Sequence, residues 1–138
     1  MDIKNLVYVI SILFFVEVSA DELKPFASDG CSAFPDGTVD QNTLWLRCCT
    51  DHDYTYWKGG TYKERQEADT ALRECVGKLG EAEIAILMLA GVRIGGTPFL
   101  PTTFRWGYGW SYPRFYGELT PEELEQVENA TDQANAAP

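Results

Sequence analysis

Four cysteines, two of them adjacent, limit how this chain of 138 residues can fold. Cys48 and Cys49 stand side by side, Cys31 precedes them and Cys75 follows them. An even number of cysteines in a short exported chain predicts two disulfides, for which three pairings are open. Neighbouring positions on a helix point in different directions, so Cys48 and Cys49 are expected to have separate partners. A zinc site, the alternative, would need closely spaced ligand pairs.

Residues 1–20 have the three-part layout of a secretory signal peptide. Lys4 precedes the apolar run LVYVISILFFV, and Val18-Ser19-Ala20 offers small residues for cleavage. A retained anchor helix is the alternative, but the run has only about half of the roughly 20 residues that a membrane span needs. We therefore expect cleavage after Ala20 and a secreted or periplasmic protein.

The composition is acidic, with 21 Asp and Glu residues against 11 Lys and Arg residues. A protein that binds duplex nucleic acid normally presents a basic face, so we expect no nucleic-acid partner. No lysine or arginine follows Gly117, which leaves the preceding part of the chain closer to neutral.

Two central helices are predicted from their start and stop signals. The stretch LWLRCCTDHDYTYW is expected to be helical from near Asn42 or Thr43, and KGGT interrupts it. Thr61 and Glu64 form a capping box, so a second helix is expected over residues 62–79.

Two further helices are predicted in the second half of the chain. Residues 81–94 are expected to form a shorter apolar helix that ends at Gly95-Gly96. Thr120 and Glu123 form a second capping box, with proline at the first helical position. This box opens a short acidic helix, which is expected to fray by Asn129.

The segment 97–117 between these helices is rich in aromatic residues, Gly and Pro and shows no period. It could be a membrane-interface surface or a lid over a cleft, because Trp and Tyr favour the headgroup level. We favour the third interpretation, packing against the helix pair as core. The expected fold is all-α: a domain at 21–117 built on a disulfide-linked antiparallel helix pair, and an acidic helix and tail at 118–138.

His52, the single histidine of the chain, is the centre of the candidate site. In an antiparallel helix pair joined by KGGT, the rise of about 1.5 Å per residue places His52 and Asp69 level to within one turn. A carboxylate behind a neutral imidazole fixes its tautomer and stabilises the imidazolium that forms when it takes a proton from water. An ordinary surface pair is the alternative.

The same alignment suggests how the cysteines pair. Cys48 and Cys75 lie farther from the KGGT turn on the two helices and can crosslink them. That pairing leaves Cys49 for Cys31. Because Cys49 and Asp53 share a helix face at i, i+4, the second bridge would bring the DGCS segment beside Asp53.

A hard cation could sit at Asp53, which points to a different face from the histidine. Calcium takes about 6–8 oxygen ligands, and the loop with Asp29, Gly30 and Ser32 supplies such oxygens. A cation beside an activated water would polarise an ester carbonyl and stabilise the developing oxyanion. An ordinary turn is the alternative for this loop.

These residues resemble the secreted phospholipase A2 family, in its compact bacterial type. The family signature is two cysteines, two residues, His-Asp and then a tyrosine four residues after the histidine. Here it is CCTDHD at residues 48–53, followed by Tyr56. The family also has an aspartate with a cysteine six residues later, matched by Asp69 and Cys75, and a calcium-loop cysteine, matched by Cys31.

The resemblance implies calcium-dependent hydrolysis of the sn-2 ester of glycerophospholipids by a monomer at a membrane or micelle surface. It implies His52 as general base, Asp69 as its partner and Tyr56 as a hydrogen-bond donor to Asp69. The calcium ligands that it implies are Asp53, Asp29 and carbonyl oxygens of Gly30 and Ser32, with Phe34 as a further candidate. It also implies the pairings Cys31–Cys49 and Cys48–Cys75.

The similarity extends over residues 29–76 and has two departures. Thr55 replaces the usual cysteine before the tyrosine, and SAFPDGT places Phe34 and Pro35 where the family's calcium loop is glycine-rich. The phospholipase A2 fold also has members without catalysis, so the alternative function is a non-catalytic secreted binding module. An enzyme acting on another ester, such as a lysophospholipid, is a third hypothesis.

Overall fold

The chain folds into four α-helices in this computed structural model, which describes residues 21–137. They are α1 (Leu46–Lys58), α2 (Tyr62–Lys78), α3 (Ala82–Gly95) and α4 (Pro121–Ala136). Within that range there is no strand, and the predicted all-α class is confirmed. The expected signal peptide lies outside the described residues. Among residues 21–137, no helix has the length and apolar character that crossing a membrane requires.

A turn of two glycines makes α1 and α2 antiparallel. Gly59 and Gly60 have φ angles of 69° and 135°, which residues with a Cβ rarely adopt. Thr61 then caps α2: its hydroxyl accepts the Glu64 N–H at 3.2 Å, and the Glu64 carboxylate accepts the Thr61 N–H at 2.7 Å. The predicted capping box is therefore confirmed.

Two disulfides connect the elements around this helix pair. Cys48–Cys75 joins α1 to α2, and Cys31–Cys49 joins the preceding loop to α1. Both are the pairings expected from the helix alignment. Each crosslink of this kind typically contributes about 2–4 kcal/mol to stability. Two disulfides are typical of proteins from oxidising compartments.

The main apolar core lies between α1, α2 and α3. Leu72 and Val76 of α2 pack against Ala85 and Met88 of α3, and Trp45 closes the cluster at the start of α1. All five side chains are buried. This packing fixes α3 across α2, which brings one side of α3 to the candidate site.

The first helix begins at Leu46, later than the expected start near Asn42 or Thr43. Trp45 N–H donates to the carbonyl of Asp36 at 3.0 Å, outside the helical pattern. Its indole N–H donates to the carbonyl of Pro35 at 2.6 Å. These contacts with the upstream loop hold Trp45 out of the helix and delay its start.

The fourth helix continues to Ala136, and the expected fraying by Asn129 is wrong. Val127 is buried with Leu23, Trp57 and Trp110. Tertiary contacts therefore stabilise a helix whose own sequence carries few apolar residues.

The aromatic segment 97–117 contributes two tryptophans to the core, as favoured above. Trp106 and Trp110 are fully buried, and their indole N–H groups donate to the carbonyls of Gly60 and Lys58. The segment's backbone N–H groups also reach the last carbonyls of α1. The carbonyls at a helix end lack partners within the helix, so this segment completes the C-terminus of α1.

Candidate active site

His52 and Asp69 meet between α1 and α2, as their spacing predicts. His52 Nε2 lies 2.9 Å from Asp69 Oδ1, and the two residues are 8% and 0% exposed. A carboxylate can only accept a hydrogen bond, so in the neutral imidazole Nε2 carries the proton and Nδ1 has the free lone pair. Within residues 21–137 no protein group hydrogen-bonds Nδ1, which leaves this nitrogen for a water or a ligand.

Tyr56 shares the same carboxylate oxygen, as the family resemblance implies. Its hydroxyl donates to Asp69 Oδ1 at 2.6 Å, and its ring packs 4.2 Å from the imidazole of His52 and 5.0 Å from Trp106, centroid to centroid. Burial, followed by the charge of Asp69, raises the pKa of Tyr56 well above its usual value. Tyr56 is therefore a neutral hydrogen-bond donor that holds Asp69 in position.

Two arginines, Arg93 and Arg65, complete this hydrogen-bond and ion-pair network. Neither was predicted from the sequence to belong to the site. Arg93 Nε of α3 lies 2.8 Å from Asp69 Oδ2, an ion pair in which the N–H is not directed at the oxygen. Arg65 Nε donates to the Tyr56 hydroxyl at 3.0 Å, and its Nη2 donates to the carbonyls of Val92 and Arg93. Both oxygens of the buried carboxylate therefore face a cation or a donor.

Only one of these arginines had a local signal. Arg65 lies four residues before Asp69 on α2, so the two share a helix face, and a charged side chain on a buried face needs a partner. Arg93 gave no such signal, because its contact depends on how α3 crosses α2.

Asp53 lies on a different face of α1 and contacts the loop that precedes the helix. Its Oδ2 accepts a hydrogen bond from the Ser28 hydroxyl at 2.7 Å, and Ser28 Oγ accepts the Gly30 N–H at 3.1 Å. Burial raises the pKa of Asp53 from 3.8 to about 6. The hydrogen bond from Ser28 and the charge of His52 act in the opposite direction, but their effect on the pKa is smaller. The carboxylate thus lacks a full counter-charge.

The loop around Cys31 is held in a left-handed conformation. Gly30 and Ser32 have φ angles of 74° and 50°, and Ser32 is a non-glycine residue in a region that side chains avoid. Asp36 Oδ1 accepts the Cys31 N–H at 2.9 Å, and Asp29 Oδ1 accepts the Ser32 hydroxyl at 2.8 Å. The Ser32 carbonyl accepts the N–H of Phe34, so one of its two lone pairs is already used.

A calcium ion at this loop would depend on Asp53 and on backbone carbonyls. Residues 21–137 contain no group of three or more His, Cys, Asp or Glu side chains able to hold a metal. Gly30 and Ser32 nevertheless line the same cavity as Asp53, and Asp29 acts on Asp53 through its charge. These donors are oxygens, which calcium prefers, and a cation would compensate the partly buried charge. The residues therefore fit this ion at Asp53.

A cavity of about 320 Å³ connects these groups with apolar side chains. His52, Asp53 and Tyr56 line it beside the loop at residues 30–34. The remaining lining is largely apolar and includes Leu72, Leu87, Met88, Val92 and Phe104. Leu87 and Phe104 are exposed, so the cavity reaches the surface at these residues. Such a cavity can hold a flexible apolar chain with a polar group at His52.

Comparison with known proteins adds no family to this site. No family model, no curated protein and no solved structure matches the chain.

Proposed function

We propose that this chain is a secreted, calcium-dependent hydrolase of the phospholipase A2 type, which cleaves the sn-2 ester of glycerophospholipids. The observation that carries the proposal is the convergence of His52 and Asp53 on one apolar cavity, with Asp69 buried behind the imidazole. The two disulfides support the secreted location.

Proton transfer in the proposed reaction runs through His52. Nδ1 takes a proton from water while the water oxygen bonds to the ester carbonyl carbon, which forms a tetrahedral intermediate. Asp69 stabilises the imidazolium at Nε2, and the hydrogen bond from Tyr56 keeps the carboxylate oriented. When the carbon–oxygen bond to the glycerol breaks, Nδ1 returns the proton to the leaving oxygen.

The developing negative charge is the second demand of ester hydrolysis. Asp53 and the loop carbonyls at Gly30 and Ser32 would hold calcium, with Asp29 as a further ligand. When bound, the ion would polarise the ester carbonyl and stabilise the oxyanion. Burial of Asp53 favours this role, because its ionised carboxylate gains most from a cation.

The apolar cavity supplies the binding energy for a fatty-acyl chain. Burying apolar surface contributes roughly 25 cal/mol per Å², so each methylene in the cavity adds noticeably to affinity. Exposed apolar side chains lie on α3 and in the segment that follows it: Leu87, Ile94, Phe99, Leu100 and Phe104. Leu87 and Phe104 also line the cavity, so this apolar surface is suited to contact a phospholipid membrane or micelle.

A non-catalytic lipid-binding module on the same scaffold is the second candidate. The observation that favours it is the hydrogen bond from the Phe34 N–H to the Ser32 carbonyl, which occupies part of a candidate calcium ligand. Such a module would use the cavity to hold an acyl chain without hydrolysis.

Hydrolysis of vesicles with a labelled sn-2 chain distinguishes the two candidates. The oxidised protein is assayed on phosphatidylcholine and phosphatidylglycerol, with calcium and with a chelator. We expect release of the sn-2 fatty acid that requires calcium and that His52→Gln lowers by at least about 1,000-fold, because the general base is removed.

The matched control is Lys63→Gln, which changes a side chain that is 82% exposed on α2 and should leave the rate unchanged. Circular dichroism establishes that each variant is folded. Binding of vesicles without fatty-acid release, by a folded protein in calcium, would favour the binding module.

A further inference from the structure

A second cavity of about 540 Å³ lies on the other wall of Asp53. It is formed by residues 24–29 with residues 101–112. Asp53 and Phe104 line both cavities, so the two spaces adjoin at the proposed reaction centre. The second lining is more polar than the first and contains charged and hydroxyl-bearing side chains, among them Lys24, Thr102, Arg105 and Tyr112.

Arg105 is a buried cation without a carboxylate partner. It is 5% exposed, and within residues 21–137 no Asp or Glu oxygen lies within ion-pair distance of its guanidinium. The guanidinium donates to the carbonyls of Gly107 at 2.9 Å and Trp110 at 2.7 Å, and it lies 5.4 Å from the ring centre of Tyr112. Charged side chains are rarely buried unless they are paired. An anion in this cavity would supply the missing counter-charge.

Thr102, which also lines this cavity, has an unpaired polar group. Its hydroxyl oxygen is buried and has no hydrogen-bond partner in the structure, which is uncommon because an unpaired polar group costs free energy. Lys24 lies on the wall of the same cavity and is exposed. A guanidinium, a hydroxyl and an ammonium together suit the oxygens of a phosphate ester.

The charges around this cavity are separated. Tyr108 feels the negative charges of Asp53 and Asp29, whereas Arg105 interacts with Tyr112 and, at longer range, with Asp21. The acidic side is therefore the side of the candidate calcium loop, and the cationic side is that of Arg105. A ligand that spans the cavity meets the reaction centre at one end and a positive charge at the other.

We infer that the second cavity binds the phosphate-bearing, anionic headgroup of the lipid whose acyl chain occupies the first cavity. The inference rests on the proposed function for the identity of the lipid. With the sn-2 ester at His52, the chain and the headgroup leave the ester in different directions, and the two cavities adjoining at Asp53 receive them. An anionic headgroup such as phosphoglycerol is favoured over phosphocholine, because a quaternary ammonium would lie against Arg105 and Lys24 without a counter-charge.

Direct binding of soluble headgroups tests this inference without catalysis. The oxidised His52→Gln protein is titrated by calorimetry with glycerophosphoglycerol, glycerophosphocholine and inorganic phosphate, in calcium and in chelator. We expect saturable binding of glycerophosphoglycerol, at least about tenfold tighter than that of the other two probes. Thr102→Val should weaken it about two- to tenfold through the loss of one hydrogen bond, and Arg105→Gln should weaken it more. Thr70→Val on α2, outside the cavity, is the matched control.

Binding and hydrolysis are then compared, so that the two proposals can fail separately. If Arg105→Gln does not fold, Lys24→Gln and Thr102→Val decide the result. In the vesicle assay, Lys24→Gln and Thr102→Val should each lower the ratio of the phosphatidylglycerol hydrolysis rate to the phosphatidylcholine hydrolysis rate. Headgroup binding without hydrolysis of any vesicle would support this cavity and refute the esterase. Hydrolysis with an unchanged ratio and no saturable binding would refute the cavity alone, and equal binding of inorganic phosphate would overturn the headgroup assignment.

Discussion

Arg93 holds the carboxylate of Asp69 from the side that His52 does not reach. Arg93 Nε lies 2.8 Å from Oδ2, while His52 Nε2 lies 2.9 Å from Oδ1. Arg93 belongs to α3, whereas His52 and Asp69 belong to α1 and α2. The third helix therefore fixes the orientation of the carboxylate, and through it the imidazole, in addition to lining the cavity.

Arg93→Met should destabilise the protein and slow hydrolysis. The substitution keeps much of the side-chain volume but leaves Asp69 Oδ2 buried without a cation. We expect the free energy of unfolding to fall by about 1–3 kcal/mol, the range for a buried polar group that is left without a partner. Because Arg93 acts on orientation rather than on the substrate, kcat should fall with little change in KM. Urea unfolding and steady-state kinetics on vesicles measure the two effects.

The control for this variant is Arg73→Met. Arg73 pairs with Glu74 at 4.0 Å on the surface of α2, and such exposed pairs contribute at most about 1 kcal/mol. Equal effects of the two substitutions on stability and kcat would contradict the role assigned to Arg93.

Gly96→Ala should displace Tyr56 from Asp69. A Cβ at position 96 would lie 2.5 Å from Tyr56 Cε2, 2.6 Å from its hydroxyl and 2.7 Å from the Val92 carbonyl. Overpacking of this kind costs about 1–3 kcal/mol, and the Tyr56 ring must move. We expect lower stability in thermal unfolding and a lower hydrolysis rate.

Gly77→Ala is the matched control for Gly96→Ala. It lies within α2, and an added Cβ meets no atom within 4 Å. Replacing an unhindered helical glycine with alanine stabilises by about 0.5–1 kcal/mol, so the two variants should change stability in opposite directions. A stable, fully active Gly96→Ala protein would show that the Tyr56 contact is not needed.

The sequence predicted the part of the site that lies along two neighbouring helices. A three-residue turn with a capping box leaves little freedom in how α1 and α2 align, so the helical rise alone places His52 beside Asp69. The disulfides follow from the same alignment, because Cys48 and Cys75 lie level on the two helices and Cys49 faces away. Short sequence separation and regular geometry made these contacts predictable.

Contacts between distant segments were not predictable in this way. Arg93 reaches Asp69 only because α3 packs across α2, and no spacing in the sequence specifies that crossing. The length of α4 depends likewise on burial of Val127 among Leu23, Trp57 and Trp110, which come from three separate parts of the chain. The second cavity has the same origin, since Arg105 and Asp53 come from segments that are far apart in the sequence.

Asp53→Asn should stabilise the calcium-free protein above pH 6. Burial raises the pKa of Asp53 to about 6 in the folded state, from 3.8. The folded state therefore holds the proton more tightly than the unfolded state, and stability is lost as the pH rises from about 4 to 6. Allowing for solvent exposure, the ionised carboxylate costs about 1–2 kcal/mol, so at pH 7.5 in chelator the variant should have a Tm about 3–12 °C above that of the unmodified protein.

Calcium and pH provide the internal controls for this comparison. At pH 3 the two proteins should unfold nearly together, because Asp53 is then largely protonated in both the folded and the unfolded state. Calcium at pH 7.5 should reverse the order, since only the carboxylate binds the ion strongly. Asp51→Asn changes an exposed carboxylate on the same helix and should show neither effect. A variant that is less stable in chelator at every pH would contradict the assignment.

Removal of either disulfide should lower stability, but only removal of Cys31–Cys49 should also weaken calcium binding. By the chain-entropy model, loss of either bridge costs about 3–4 kcal/mol of stability. The double substitution of Cys31 and Cys49 by serine also frees the loop that is held beside Asp53. We expect this variant to bind calcium about 10- to 100-fold more weakly at a temperature where it is folded, as when groups that orient metal ligands are removed.

The corresponding change at Cys48 and Cys75 leaves the loop attached to α1, so calcium affinity should stay within about threefold of the original. Calcium titration by calorimetry, with urea unfolding alongside, measures both quantities; equal calcium affinities in the two variants would show that the bridge to the loop does not position the ligands.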